Sequence, residues 1–339
     1  MKHYHIPIFV PHRGCPFDCV FCNQRRISGT EDDPTPQTAD QTIREYLQSL
    51  PESDCHIEVA FFGGSFTGIP MEEQTAFLKA AYRYQQAGKI HGIRLSTRPD
   101  YITSEILENL RRFGVTVIEL GVQSMCVDVL LVAGRGHTPE DVEKAVSLIR
   151  EYPFSLGLQV MTGLPGADPE KDLETARRVA ALHPDFVRIY PTLVIEDTEL
   201  AELYRTRRYC PMDVPSSVKL CKDMKVHFLE AGIDVIRVSL QTTDEICEKG
   251  SVLAGPYHPA FGELVDSMIF WDRITEALKG RRNCRVSIFV NRRDISRAVG
   301  HKRSNLEGLR REYGIQARVL PDPNILPLRQ NGAPRISID

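Results

Sequence analysis

The sequence lacks long apolar runs, low-complexity segments and a large net charge. No stretch of its 339 residues approaches the ~18 consecutive apolar residues of a membrane-spanning helix, so we expect no membrane span. The first residues also lack the apolar segment of a secretory signal. The nine cysteines are scattered along a chain too long to need disulfide staples, so reduced thiols are expected. These absences predict a cytoplasmic protein without a membrane partner.

The composition is that of an ordinary globular protein, with 42% hydrophobic and 26% charged residues. A net charge of −3 says little about partners, but the charge is unevenly distributed. Residues 271–311 contain 12 Lys and Arg against 4 Asp and Glu. Such a local excess indicates either an anionic partner or a solvated, helix-rich surface.

Three cysteines near the amino terminus, Cys15, Cys19 and Cys22, have the spacing C-x3-C-x2-C. At this spacing one short loop can bring all three sulfurs to a single inorganic centre. Iron–sulfur cubanes are normally held by four thiolates, so a loop with three leaves one iron open to a small ligand. A zinc site with His12 as the fourth ligand is an alternative. Cysteines that pack only as small apolar residues are another.

Strand and helix patterns alternate along the first two thirds of the chain. Strands are predicted over 5–10, 56–62, 93–96, 115–120, 155–161 and 186–190. Helices are predicted over 40–50, 71–87, 102–113, 141–151 and 172–182, and a later helix and strand over 218–231 and 234–240. Alternation of this kind indicates parallel strands joined by right-handed crossovers. Because unusual residues repeatedly follow the strands, we predict a partial or full TIM-like (β/α) barrel, an α/β fold.

Polar residues and glycines follow successive strands, at the edge where the cysteines also lie. Gly63, Gly64 and Ser65 follow the second strand, and paired glycines allow a ligand to approach the backbone closely. Hydroxyl and guanidinium groups end the third strand at Ser96 and Arg98, which suit a carboxylate. Gln123 ends the fourth strand, and Gln159 lies on the fifth. Together these residues predict a ligand site at the carboxyl ends of the strands.

The cysteine triplet, with Phe21 just before its third member, resembles the cluster motif of radical S-adenosylmethionine enzymes. More narrowly, four segments resemble the radical domain of the catalytic subunit of Elongator, which modifies the wobble uridine of tRNA. These segments are 121–124 (GVQS), 135–138 (RGHT), 163–166 (GLPG) and 188–195 (RIYPTLVI) followed by Asp197 and Thr198. The likeness covers about residues 5–265. Oxygen-independent coproporphyrinogen oxidases are similar at a greater distance.

The resemblance implies a 4Fe-4S cluster and S-adenosylmethionine as cofactors, in a barrel of the radical S-adenosylmethionine type. It implies Cys15, Cys19 and Cys22 as cluster ligands. It also implies a set of residues that bind the cofactor: Phe21, Gly63, Gly64, Ser65, Ser96, Arg98, Gln123 and Gln159. The implied partners are tRNA or another RNA and an electron donor such as flavodoxin or ferredoxin. The cysteine spacing here is more compact than in eukaryotic and archaeal Elongator subunits, and we expect no acetyltransferase domain after residue 265.

The last third of the chain is predicted to form a small basic α+β domain over 266–320, after a barrel with a C-terminal extension over 1–265. Strands over 285–290 and 316–320 enclose helical stretches and a basic turn, an order similar to a KH module, although the second glycine of its turn is absent. The predicted RNA contacts are Arg281, Arg282, Arg292, Arg293, Lys302 and Arg303. Residues 321–339 are predicted to be an extended tail. The Pro- and Gly-rich stretch 254–263 either covers a substrate or joins two domains.

Three functional hypotheses follow from these patterns. The first is an enzyme that cleaves S-adenosylmethionine reductively and abstracts hydrogen from a nucleoside in RNA. The second has the same radical core and acts on a small molecule such as a porphyrin. The third is an RNA-binding protein that contains zinc.

Overall fold

The structure, a computed structural model, describes residues 2–10, 15, 19–23, 34–51, 55–240 and 251–338. The strands in these ranges are β1 (Lys2–Val10), β2 (Cys55–Gly63), β3 (Gly92–Thr97), β4 (Val115–Gln123), β5 (Ser155–Thr162), β6 (Phe186–Pro191), β7 (Val194–Ile195), β8 (Asp234–Val238), β9 (Val252–Ala254), β10 (Arg285–Val290), β11 (Gln316–Pro321) and β12 (Arg335–Ile338). The α-helices are α1 (Pro36–Ser49), α2 (Met71–Gln86), α3 (Ser104–Arg112), α4 (Val127–Val132), α5 (Pro139–Ile149), α6 (Pro169–Ala181), α7 (Glu199–Arg205), α8 (Val214–Glu230), α9 (Phe261–Ala277), α10 (Ile295–Val299) and α11 (Ser304–Tyr313). Within these ranges no helix has both the length and the apolar character required to cross a bilayer.

Seven strands form one sheet in the order β1-β2-β3-β4-β5-β6-β8, and every neighbouring pair is parallel. In the described part of the chain β1 and β8 do not pair with each other, so the curled sheet stays open as a half-barrel. The prediction of a TIM-like α/β barrel, partial or full, is confirmed as a partial barrel. A parallel sheet places all its carboxyl strand ends at one edge, which positions the site described below.

The convex face of the sheet is apolar because strand residues alternate between its two faces. Val59 and Phe61 of β2 are buried on this face, and the Phe61 ring lies 6.0 Å from the ring of Phe77 in α2. Threonine caps begin two of the covering helices: Thr35 before α1 and Thr138 before α5 each accept from the third backbone amide of the helix. Burial of these faces supplies the main core of the protein.

A second, smaller core lies under the sheet β11-β10-β12. Helix α9 joins the two cores, since Phe261 and Val265 pack in the barrel core whereas Ile269 and Ile274 pack in the second one. The predicted boundary between 265 and 266 therefore lies inside a continuous helix. Strand β12, in the predicted tail 321–339, pairs antiparallel with β10. The division of the chain into domains stays a prediction.

Candidate cofactor site

The cysteine-bearing stretch starts where β1 ends, next to Gly63, the last residue of β2, and Gly64, which follows it. Val10 pairs with Gly63, and the amide of Gly64 donates to the Val10 carbonyl at 2.7 Å. Gly63 has a φ of +105°, a backbone conformation that side chains disfavour. The structure thus brings Gly63 and Gly64 beside the start of the cysteine loop, as the sequence predicts.

The stretch 19–23 is hydrogen-bonded to the segments that follow β4 and β6. The amide of Val20 donates to the Ala133 carbonyl at 3.1 Å, and the Val20 carbonyl accepts from Leu200 at 2.7 Å. Within the stretch the amide of Cys22 donates to the Cys19 carbonyl at 2.9 Å. Backbone bonds therefore fix this half of the loop at the carboxyl edge of the sheet. Cys19 is buried there, whereas Cys15 and Cys22 are partly exposed.

Phe21 connects the cysteine stretch to two small apolar clusters. One cluster contains Met161 of β5 and Leu164 of the loop after it, and the other contains Val194 and Leu200. An aromatic side chain at this position holds the stretch against the strand ends by burial of its ring. Direct contact between Phe21 and a cofactor stays a prediction.

Arg135 is the side chain that ties the cysteine stretch to the sheet. It is buried, and its Nη1 donates to Cys19 Sγ at 3.5 Å while its Nη2 donates to the Gly121 carbonyl at 2.6 Å. These two contacts hold the Cys19 side chain against the end of β4. Arg135 belongs to the segment 135–138 named above, but its place in the site was not predicted. It follows α4, and no local pattern of the sequence places it beside the cysteines.

The end of β4 combines a close backbone approach with a strained residue. A Cβ on Gly121 would lie 2.7 Å from Nη2 of Arg135 and 2.9 Å from Nε2 of Gln123, so a side chain there would displace the ends of these two side chains. Gln123 has a φ of +67°, in the left-handed region, and lies at an irregularity in the pairing with β5. Its Oε1 accepts from Nε2 of Gln159 at 3.2 Å. Strain of this kind persists where the surroundings fix the residue, often at functional sites.

The remaining predicted contacts occupy different environments. Ser65 is buried and begins a short 3₁₀ turn, Phe66–Gly68. Ser96 is partly exposed, between the buried residues Leu95 and Thr97. Arg98 is buried, and its guanidinium donates to the Asp100 carboxylate and to the Arg135 carbonyl. Arg98 thus supports the backbone of Arg135. Direct binding of a ligand by Ser65, Ser96 or Arg98 stays a prediction.

Charged side chains line the concave face below this edge, and the sequence analysis did not assign them. Glu119 accepts from Arg94 Nη1 at 3.0 Å, and from Arg188 at 2.5 Å (Nε) and 3.1 Å (Nη2). Arg94 also donates to Glu58 at 2.9 Å. Glu119 reaches Arg188 across the strand between them, where Gly157 has no side chain. The available signal was one charged residue within each otherwise apolar strand.

The charges in this layer stabilise one another. Burial alone would raise the pKa of Glu58, but His5 and Arg94 outweigh burial and lower the pKa to about 2. Burial alone would lower the pKa of Arg188, and the carboxylate of Glu119 instead raises the pKa above its usual value. Glu58 and Arg188 are therefore ionised at neutral pH, and both belong to a layer of paired charges on the concave face.

A cavity of about 880 Å³ lies beside the loop 163–169 that follows β5. Tyr209 donates its hydroxyl hydrogen to the Gly163 carbonyl at 2.6 Å, and the Gly163 amide donates to Asp172 at 2.9 Å. Burial raises the pKa of Asp172 to about 7. Leu164, which packs with Phe21, also lines this cavity.

The six predicted RNA contacts are all exposed, on three separate turns. One pair, Arg281 and Arg282, precedes β10, and another pair, Arg292 and Arg293, follows it. A six-residue strand separates these pairs by about 20 Å, so they do not form a single cluster. Lys302 and Arg303 lie in the turn between α10 and α11, both with positive φ. Binding of RNA by these residues stays a prediction.

The chemistry of the donors decides whether the cysteines suit a cluster. Among the described residues no three His, Cys, Asp or Glu side chains lie together as a ready metal site. His12, the alternative zinc ligand, lies outside the described residues. Three cysteine sulfurs are the donor type that holds iron–sulfur clusters, and Cys19 Sγ accepts from Arg135 at the carboxyl edge of the sheet. Ligation of a cluster by Cys15, Cys19 and Cys22 stays a prediction.

The chain is similar in sequence to tRNA uridine(34) acetyltransferases and to Elongator complex protein 3. A tRNA uridine(34) acetyltransferase from Dehalococcoides mccartyi is 29% identical over 247 residues, 62% of this chain and 53% of that protein. Elongator complex protein 3 from Saccharomyces cerevisiae is 32% identical over 186 residues, 49% of this chain and 33% of that protein. The chain therefore spans about half, or less, of the length of these curated relatives.

The fold also has a solved counterpart. The archaeal Methanocaldococcus infernus Elp3 with an N-terminal deletion matches with a TM-score of 0.61 at 22% identity, covering 83% of this chain and 66% of that one. The family model for the Radical SAM superfamily matches residues 9–179, half of the chain, and the model for the Radical_SAM C-terminal domain matches residues 184–270. Proteins of this family are enzymes that use a 4Fe-4S cluster and S-adenosylmethionine. The chain belongs to the Radical SAM superfamily, with Elp3-like proteins among its relatives.

Proposed function

We propose that this enzyme cleaves S-adenosylmethionine reductively and uses the resulting radical to modify a nucleoside in RNA, with tRNA as the first candidate. The observation on which the proposal rests is the series of contacts, through β7, β9 and the loop 255–260, that links the cysteine stretch to the basic turn of the C-terminal part. The curated relatives named as tRNA uridine(34) acetyltransferases support the choice of tRNA.

Each group at the site has a defined task in this proposal. Cys15, Cys19 and Cys22 hold the cluster, and Arg135 orients the sulfur of Cys19. A cluster held there would supply the one-electron reduction by which S-adenosylmethionine is cleaved. Gly63 and Gly64 leave room for the methionine part of the cofactor. The paired charges of the concave face lie beneath the reacting groups.

The segment after β6 connects the cysteine stretch to the two-stranded sheet formed by β7 and β9. Nδ2 of Asn23 donates to the Asp197 carbonyl at 3.4 Å, just after β7. The amide of Glu196 donates to the Ser251 carbonyl at 3.0 Å, and β7 pairs antiparallel with β9. The cysteine stretch is therefore joined through hydrogen bonds to the start of the 255–260 loop.

The basic turn packs against the far side of that loop. The ring of His301 lies 5.3 Å from the ring of His258, nearly perpendicular to it. Lys302 and Arg303 follow His301 directly and are exposed. We infer that they contact phosphates of an RNA whose reacting nucleoside enters the half-barrel. In this proposal residues 1–265 form the catalytic part, 266–320 the RNA-contacting part and 321–339 its appended tail.

The test compares two reactions of the anaerobically reconstituted enzyme. With reductant and S-adenosylmethionine, 5′-deoxyadenosine should form, and unmodified tRNA should increase the yield and acquire a new nucleoside detectable by mass spectrometry. Charge reversal at Lys302 and Arg303 should abolish the tRNA effect and leave the cleavage without substrate unchanged. Charge reversal at Arg177, a distant exposed arginine, is the control.

Three outcomes separate the candidates. Cleavage with no response to tRNA, together with a response to a porphyrin, favours the small-molecule alternative. Tight zinc without iron favours a zinc protein that binds RNA. Binding of tRNA that does not weaken as salt increases excludes phosphate contacts by the basic turn. The reductant is proposed to be a flavodoxin or ferredoxin, which should replace a chemical reductant in the same assay.

A further inference from the structure

The small sheet β11-β10-β12 has one covered face and one face that carries a distinct set of side chains. Val286, Ile288 and Val290 of β10 are buried against the second core, with Ala317, Val319 and Ile336. By strand alternation the other set faces away from this core. We define that set as the open face: Arg285, Ser287, Phe289, Gln316, Arg318, Leu320, Arg335 and Ser337. Of these, Ser287 is itself buried, and its hydroxyl accepts from Arg318.

The open face is basic and has an aromatic centre. Its strands contain Arg285, Arg318 and Arg335 and no Asp or Glu. Phe289 lies on the central strand, paired with Leu320 on one side and Arg335 on the other. The three arginines are exposed, and Phe289 is partly exposed. The face therefore has positive charge around an accessible ring.

Contacts along the sheet hold two of the three arginine side chains, Arg318 and Arg335. The Arg335 guanidinium is 4.3 Å from the Phe289 ring centre and donates to Asp322 at 2.9 Å, yet 60% of this side chain is exposed. Nε of Arg318 donates to the Ser287 hydroxyl at 2.8 Å. Guanidinium planes held in this way lose little entropy when a ligand stacks on them.

We propose that the open face binds single-stranded RNA, with one base stacked over Phe289 and Arg335 and with phosphates contacted by Arg285 and Arg318. An aromatic ring with arginines on an open sheet is the chemistry that holds unpaired bases and backbone. A folded acidic protein would suit the charge but not the exposed ring beside a guanidinium plane. The proposal rests on the proposed function, since RNA is the ligand in both. The open face is a different surface from the turns that carry the six RNA contacts predicted from the sequence, which are Arg281, Arg282, Arg292, Arg293, Lys302 and Arg303.

The test uses the full-length protein and a fluorescent single-stranded RNA of about 12 nucleotides, a length within known site sizes. Phe289→Leu keeps the apolar bulk and removes the ring, and it should weaken binding about 5- to 100-fold, the range for loss of one stacked base. Phe289→Tyr should bind as the wild type does. Arg285→Ala should weaken binding and reduce the slope of affinity against salt by about one. Arg329→Ala, an exposed arginine outside the open face, should change neither.

A second measurement covers the case in which Phe289→Leu does not fold. RNA that contains 4-thiouridine, irradiated with the wild-type protein, should crosslink to a peptide that includes Phe289. Equal affinity of wild type and Phe289→Leu, or crosslinks only outside β10, β11 and β12, overturns the inference while the proposed function stands. A wild-type protein that binds neither this RNA nor tRNA overturns both. In each variant, formation of 5′-deoxyadenosine without RNA should stay at the wild-type rate.

Discussion

The charged layer under the cofactor site permits a quantitative prediction for Glu119→Gln. Glu119 is 4% exposed and accepts hydrogen bonds from both Arg94 and Arg188. Glutamine keeps the shape but removes the charge, and it turns an amide donor toward guanidinium donors. The substitution leaves a buried positive charge on Arg188 without its carboxylate, because the other described carboxylate of the layer, Glu58, bonds Arg94.

The expected loss of unfolding free energy follows from the burial of the pair Glu119 and Arg188. Side-chain exposures of 5% for Glu119 and 10% for Arg188 mean that water cannot replace the lost partner. Breaking such a pair by removing one member costs about 3–5 kcal/mol of unfolding free energy. The exposed pair Arg111 and Glu108, at 55% and 53%, is the matched control, and Glu108→Gln should cost less than ~1 kcal/mol.

Urea denaturation of both variants measures the difference. The double variant Glu119→Gln with Arg188→Met should recover part of the loss, since the unpaired charge is then removed as well. A loss of unfolding free energy below ~1 kcal/mol for Glu119→Gln would refute the role given to this layer. So would a double variant that loses more unfolding free energy than the two single variants together.

Three further substitutions test the site. Gly121→Ala should cost about 1–3 kcal/mol in urea denaturation, because its Cβ would lie 2.7 Å from Nη2 of Arg135; wild-type stability would show that the approach is loose. Gln123→Gly should keep or raise stability by ~1 kcal/mol, since φ is +67°, yet weaken binding of S-adenosylmethionine in equilibrium dialysis; unchanged affinity removes Gln123 from the site. Asp172 has a folded pKa near 7, above its unfolded value, so the wild type should lose stability as pH rises from about 4 to about 7. The variant Asp172→Asn should lack this pH dependence, which amounts to at most ~4 kcal/mol of unfolding free energy in the wild type. A variant with the wild-type pH profile would contradict the burial of the protonated carboxyl group.

The sequence predicts most of the fold because the period of its apolar residues is clear. In β2, for example, Val59 and Phe61 on one face alternate with Glu58 and Ala60 on the other, the period of a strand. Helix α9 was not predicted, since its amino end overlaps a Pro- and Gly-rich stretch and its later part is shared by two cores. Strand β12 is four residues long and gains its form only from pairing with β10.

The site was predictable in type but not in its supporting contacts. Gly63 and Gly64 come directly after a strand, so their place beside the cysteines follows from topology. Arg135 reaches Cys19 from a turn 116 positions away in sequence, a proximity that no local pattern contains. Arg98 was predicted to contact the cofactor, and in the structure its guanidinium donates to Asp100 and to the Arg135 carbonyl. The contact with Arg135 is defined only by the folded chain.

The most direct test of the account is anaerobic reconstitution of the purified protein with iron and sulfide, followed by reduction with S-adenosylmethionine present. The account predicts about four irons per chain and formation of 5′-deoxyadenosine, both lost on replacing Cys15, Cys19 or Cys22 by alanine. A colourless protein that leaves S-adenosylmethionine intact, or a cysteine variant that keeps full activity, would contradict it.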